Sequence, residues 1–249
     1  MTTAESWTAA VRNRLAPGRL LPLGAPEDGA WITERAARTV LDGVAAAVRG
    51  VAPGELRVGP DTEADTGADA GPDVATDEGA ETGTNGGAEP APEALPVPPG
   101  ALPPGPLRIS VGFAAVAGRP LPELSAELRT ALLSAAEDGL GLVVAAVDLR
   151  VTELLDAAPE NSGPATPPPG RPSPATDDPA ALAALRVEGV AGVTDALGPP
   201  VHRASGRVRV ELAVTAGHRP LDVARAVRNA VTAATQEATA VTVLVSELR

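Results

Sequence analysis

The sequence predicts an α+β protein built from two related two-layer α/β sandwich units, each running helix-strand-loop-strand-helix-strand. A proline-rich linker joins them, and a disordered acidic insert sits in the first unit. Three observations predict this. The chain is self-similar at a spacing of one hundred residues, where Gly118-Arg119-Pro120-Leu121 is echoed by His218-Arg219-Pro220-Leu221. Within each copy the apolar period switches between two, the mark of a half-buried strand, and about 3.6, the mark of an amphipathic helix. Two stretches are too polar or too proline-rich to hold a core.

The elements follow in order. Residues 1–24 form an amphipathic segment in which Trp7, Val11 and Leu15 repeat at i, i+4 and i+8, with Leu20, Leu21 and Leu23 beyond and Pro22 among them. The first unit spans 25–155. Its opening helix is capped by Thr33, with Glu34 complementing the positive helix end. Ala37, Val40, Leu41, Val44 and Val48 make the buried stripe, and Gly50 ends it. After the insert, Leu107, Ile109, Val111 and Phe113 alternate as one face of a strand. Pro122 then suits a first helical turn; Leu124, Leu128, Ala131, Leu132 and Ala135 form the stripe, and Gly139 is the expected stop. A strand over 147–154 closes the unit.

The second unit, 180–249, repeats the plan. A short helix from Pro179 to Arg186 precedes Val187-Glu188-Gly189-Val190, which resembles Val48-Arg49-Gly50-Val51. Val208, Val210, Leu212 and Val214 alternate as a strand, and Val223, Val227, Ala230, Val231 and Ala234 mark a helix. The strand 241–248 matches 147–154 in kind, with Glu-Leu closing both. Helices segregated to one face of a small sheet are the economical packing, and each strand-helix-strand crossover should be right-handed and parallel.

Charge locates the rest. The 249 residues carry a net charge of −12, every cation being Arg. Residues 59–105 hold ten acids and no Arg, so they supply nearly all of that excess. Their Gly, Ala, Thr, Asp and Pro cannot bury enough apolar area to offset the entropy of ordering. Residues 156–179, with Pro167, Pro168 and Pro169 in a row, read as the extended linker. With no Cys and two His, disulfides, thiolate metal sites and cysteine nucleophiles are excluded, and a His-based triad has little material. No catalytic, cofactor-binding or metal-binding residues are expected. There is no apolar run long enough for a transmembrane helix and no signal-peptide core at the N-terminus.

Gly29-Ala30-Trp31-Ile32-Thr33 opening a helix, Arg49-Gly50-Val51 closing it, the Arg119-Pro120-Leu121 turn and the final Val-x-Leu-x-Val strand resemble the alkaline shock protein family, the envelope stress response proteins of Gram-positive bacteria. The resemblance covers 29–58 and 106–155 closely and 180–249 more loosely. The acidic insert, the Arg-Pro-Leu turn and the doubled domain depart from the family's usual form. The Arg-only, Ala- and Pro-rich composition looks like a divergent actinobacterial member. The resemblance implies a non-enzymatic scaffold, cytoplasmic, working peripherally at the membrane through a protein partner, one with its own membrane anchor included.

Two groups of residues are candidates for partner binding. Trp7, Val11 and Leu15 could dock on a partner or lie in a membrane interface; the plainer reading packs them on the first unit. Arg203, Arg207 and Arg209, with Arg219 at the next turn, gather cations on the second unit. Nucleic-acid binding governed by the acidic insert is the alternative function, but a binding stripe normally brings aromatic residues, and 180–249 contains none. A solvated outer strand face is the better account of these Arg, since alternate strand residues must face water somewhere. The duplication could form an intramolecular pseudo-dimer or display surfaces for homo-oligomer assembly.

Overall fold

A computed structural model describes residues 18–61, 97–157, 173–235 and 240–249. Its strands are β1 (Leu20–Leu23), β2 (Ala30–Thr33), β3 (Val51–Pro60), β4 (Leu107–Val116), β5 (Val144–Leu155), β6 (Val190–Val193), β7 (Val201–Ala204), β8 (Arg207–Val214) and β9 (Ala240–Leu248). The helices are α1 (Glu34–Ala47), α2 (Leu121–Ser134), α3 (Pro179–Leu185) and α4 (Pro220–Ala234). The protein is α+β, with two sheets.

The smaller sheet has the order β3-β4-β5, and the larger the order β1-β2-β9-β8-β6 with β7 also on β8. Both contain one shared path. In the first, β3 is antiparallel to β4, and β4 parallel to β5 across α2; in the second, β6 is antiparallel to β8, and β8 parallel to β9 across α4. The parallel crossovers are those the sequence predicts.

Local sequence explains the elements. Thr33 caps α1 as expected, its Oγ1 accepting from the Ala36 amide at 3.3 Å while donating to the Ser246 carbonyl at 2.9 Å. Ala36, Ala37, Leu41 and Ala45 are buried on α1. In β4, Leu107, Ile109, Val111, Phe113 and Ala115 point inward in strict alternation. The expected stop at Gly139 lies inside a wider helical turn, Ala135–Leu140, and the chain leaves at Gly141 instead. That residue has φ +91°, a conformation glycine reaches without a Cβ clash.

The two halves meet differently from two sandwiches on a linker. β1 and β2, assigned by the repeat to the N-terminal segment and the first unit, form a hairpin whose β2 pairs in parallel with β9, with Ile32 opposite Val245. Leu20, Leu21 and Leu23 therefore build a buried strand that Pro22 does not break. Pro22 sits in an edgeward strand, where proline is tolerated. One continuous core joins Leu21, Ile32 and Val245 of the larger sheet to Ile109, Val111 and Phe113 of the smaller, through Leu41, Leu128 and Val227 of the helices.

Direct contacts tie the same junction. Gly24 donates to the Gly141 carbonyl at 2.8 Å, and Arg225 grips the Asp28 carboxylate at 2.7 and 2.9 Å. Both ends of the expected insert are also structured. Pro60 belongs to β3, Asp61 pairs with Arg108 at 2.8 Å, and Leu102 donates to the Leu20 carbonyl at 2.8 Å. Residues 62–96 lie outside the described part.

Candidate docking surface

Of the residues singled out by sequence, Trp7, Val11 and Leu15 lie outside the described residues. The four Arg do not form one patch. Arg207, Arg209 and His202 share the outward face of the β7–β8 hairpin, whereas Arg203 is opposite Val208 on the other face. Arg203 is engaged by Asp178 at 2.8 Å, and Asp178 also caps α3 through the Ala180 amide at 2.8 Å. Arg219 stands at the start of α4, pairs with Asp222 at 3.4 Å and donates to the Glu137 carbonyl at 2.8 Å, so it bridges the two halves. A groove of about 750 Å³ runs beside the hairpin, lined by Asp178, Arg203, Ser205, Arg207 and Thr235. Its acid and one of its two Arg already satisfy one another.

A buried polar cluster lies under the outer face of the larger sheet. The Glu211 carboxylate, 1% exposed, accepts from Thr194 Oγ1 at 2.8 Å, the Ala196 amide at 2.8 Å and the Leu197 amide at 3.0 Å. These bonds satisfy an otherwise costly buried charge and pin the loop between β6 and β7. Both oxygens are committed to this structural task. Among the described residues, no group of three or more His, Asp or Glu could hold a metal ion, and no helix is long and apolar enough to cross a membrane.

The surface that stands out is the edge formed by β5. The strand is hydrogen-bonded to β4 on one side, and among the described residues no strand pairs with its other side. An edge of this length presents a row of backbone donors and acceptors that another chain can pair with. Val151 and Leu154 are 37% and 67% exposed along it, with Val143, just before the strand, 46% exposed, whereas Val147 faces the core. Register shifts between Val144 and Ala146 and between Val151 and Glu153 leave 146–151 as its regular stretch. Arg129 of α2 donates to the Val147 carbonyl at 3.4 Å, and a carbonyl retains a second lone pair.

The opposite edge of the smaller sheet is treated differently. On β3, Pro53 and the irregularity between Pro53 and Leu56 interrupt the ladder, and Arg19 donates to the Val58 carbonyl at 2.7 Å. On the larger sheet, β9 occupies the place that β5 has in the smaller one, and its free side is filled by β2.

Sequence reasoning identified 147–154 as a strand without seeing that it is an edge. A signal was present. The positions alternating with the apolar ones are Asp148, Arg150 and Thr152 in 147–154 and Thr242, Leu244 and Ser246 in 241–248. Charge marks the face left in water, and Leu244 marks one that is covered, here by Trp31 and Leu20.

No protein-family model matches the chain, and neither a curated protein nor a solved structure matches it.

Proposed function

We propose that this chain is a non-catalytic binding or scaffold protein that engages protein partners through the β5 edge. The open edge carries the reading. A long strand with exposed Val151 and Leu154 is an aggregation hazard unless something docks on it, and strand addition is a common way for proteins to recognise one another. Taking the sequence resemblance to envelope stress response proteins as a guide, our reading has it work at the cytoplasmic face of the membrane, associated through a partner. We read the strand path common to both sheets as an internal duplication in which the second copy's edge is closed within the chain and the first copy's remains for binding.

A tagged pull-down from fractionated host cells tests this by comparing the natural sequence with Val151→Lys, which places a charge on the edge and leaves the core face of β4 intact. The expected result is a set of captured proteins, enriched in the membrane fraction, that the variant loses. Equal recovery by both would overturn the edge as the docking surface.

A further inference from the structure

Resting on that reading, we propose that the β5 edge binds a second copy of this chain, in an antiparallel strand pair whose twofold axis passes through Leu149, joining the two three-stranded sheets into one of six. The strand's own order of residues carries this. In a symmetric antiparallel pair directly opposed side chains lie on the same face, so the axis must pass through a residue and its copy, and each choice of axis fixes every other pairing.

An axis at Asp148 or Arg150 sets like charges against each other at the centre. An axis at Val151 sets Asp148 opposite Leu154 and Leu149 opposite Glu153, charge against hydrocarbon in both cases. An axis at Val147 faces Arg150 with Val144. With the axis at Leu149, Asp148 lies opposite the second copy's Arg150 twice over, Val147 lies opposite the second copy's Val151 twice, and Leu149 meets itself. Opposed charges and opposed apolar residues are the cross-strand pairs that stabilise a sheet. This pairing also uses only 147–151, inside the regular stretch between the two register shifts.

Both charged residues are exposed, and Asp148 is already held in an ordered position by Arg108 at 2.9 Å. On the core side, Val147 and Leu149 pack against the common core while Val151 is 37% exposed. A second copy would cover Val151 with its own Val147. The larger sheet shows the arrangement this edge lacks, since there the corresponding strand is flanked on both sides.

Sedimentation velocity of the full chain over a concentration series tests the proposal through a charge exchange. The natural sequence should form a dimer. Arg150→Asp opposes two pairs of carboxylates and should raise the dimer dissociation constant by at least about tenfold, as should Asp148→Arg with its two pairs of cations. The double variant Asp148→Arg with Arg150→Asp restores both pairs and should recover dimerisation. Emission from buried Trp31 and the helical circular dichroism signal check that each variant is folded.

A natural chain that stays monomeric at the highest soluble concentration overturns the proposal, as does a dimer that ignores both single changes or a double variant that fails to recover. If the chain is monomeric but Val151→Lys still loses captured proteins, the occupant is a different protein and the docking reading stands. If dimers form and the same variant changes no capture, the edge is used for self-assembly alone.

Discussion

Asp28 is a small residue with a large structural share. It accepts from the Ala25 amide at 2.8 Å and receives a two-pronged contact from Arg225, 197 residues away. The hydrogen bond from Arg225 holds its carboxyl below the ordinary range, against the opposing effect of burial, with the Ala25 amide assisting. A carboxylate with a lowered folded-state pKa adds stability that is complete above its unfolded value, near ~3.9, and is lost as pH falls through the folded value. Arg225→Met should therefore cost about 1–2 kcal/mol at neutral pH. The difference from the natural chain should shrink as pH falls below the ordinary aspartate value and through the lowered folded value of Asp28, and vanish once the carboxyl is protonated in both. Urea unfolding at several pH values reads this directly.

Gly141 is the second such residue. A Cβ there would lie 2.4 Å from the Leu221 Cβ, at a backbone φ of +91°. Gly141→Ala should cost roughly 3 kcal/mol through strain and displaced packing combined; because the nearest atom is the Leu221 Cβ, which alanine would keep, the paired change Gly141→Ala with Leu221→Gly is the one that removes the clash and leaves the backbone strain, and a double-mutant cycle measures the coupling.

Among the elements, the step from β2 to α1 joins helix capping to sheet assembly. Thr33 Oγ1 serves both the Ala36 amide and the Ser246 carbonyl. Replacing it with Val keeps the shape and loses both bonds, about 1 kcal/mol for the cap and a similar amount for the buried bond. Thr33→Val should lower stability by about 2 kcal/mol, and Thr33→Ser should retain most of it, as chemical denaturation would show.

The cap, the stripe on α1, the alternation in β4 and both parallel crossovers were legible in the sequence because each depends on residues within one turn or one strand. The hairpin of β1 and β2 was not. Leu20, Leu21, Leu23 and Trp31 announce burial but not against what, and Pro22 reads as a breaker until its place near a sheet edge is known. The exit at Gly141 rather than Gly139 was equally hidden, since either glycine can end a helix and only the structure shows that Gly141 takes the left-handed φ and lies against Leu221. The four Arg look like a cluster in the sequence because strands and helices were not yet placed, and the fold then separates Arg219 from the hairpin.

At the scale of the molecule, the shared core leads us to expect that neither half is self-sufficient. A chain ending at residue 157 leaves β2 without β9, and one beginning at residue 178 leaves β9 with a bare side where Ile32 and Trp31 should lie. Each fragment should lack a cooperative thermal transition, while mixing the two should restore one, because the junction is built from contacts between them rather than from the linker. Calorimetry of each piece and of the equimolar mixture checks this. Independent two-state transitions in the separate fragments would show that the sheets can stand alone.

The pairing of β2 with β9 also sets a schedule for biosynthesis. Thr33 and the Ser246 carbonyl that it binds are 213 residues apart, so the earlier strand must wait for residues more than two hundred positions later to leave the ribosome. At about 5–20 residues per second, the nascent hairpin stays without its neighbour for at least ten seconds or so, with Trp31 and Ile32 uncovered. A chaperone that holds that early segment would have its binding site supplied by the order of synthesis itself, and a stop codon before residue 240 would strand it there.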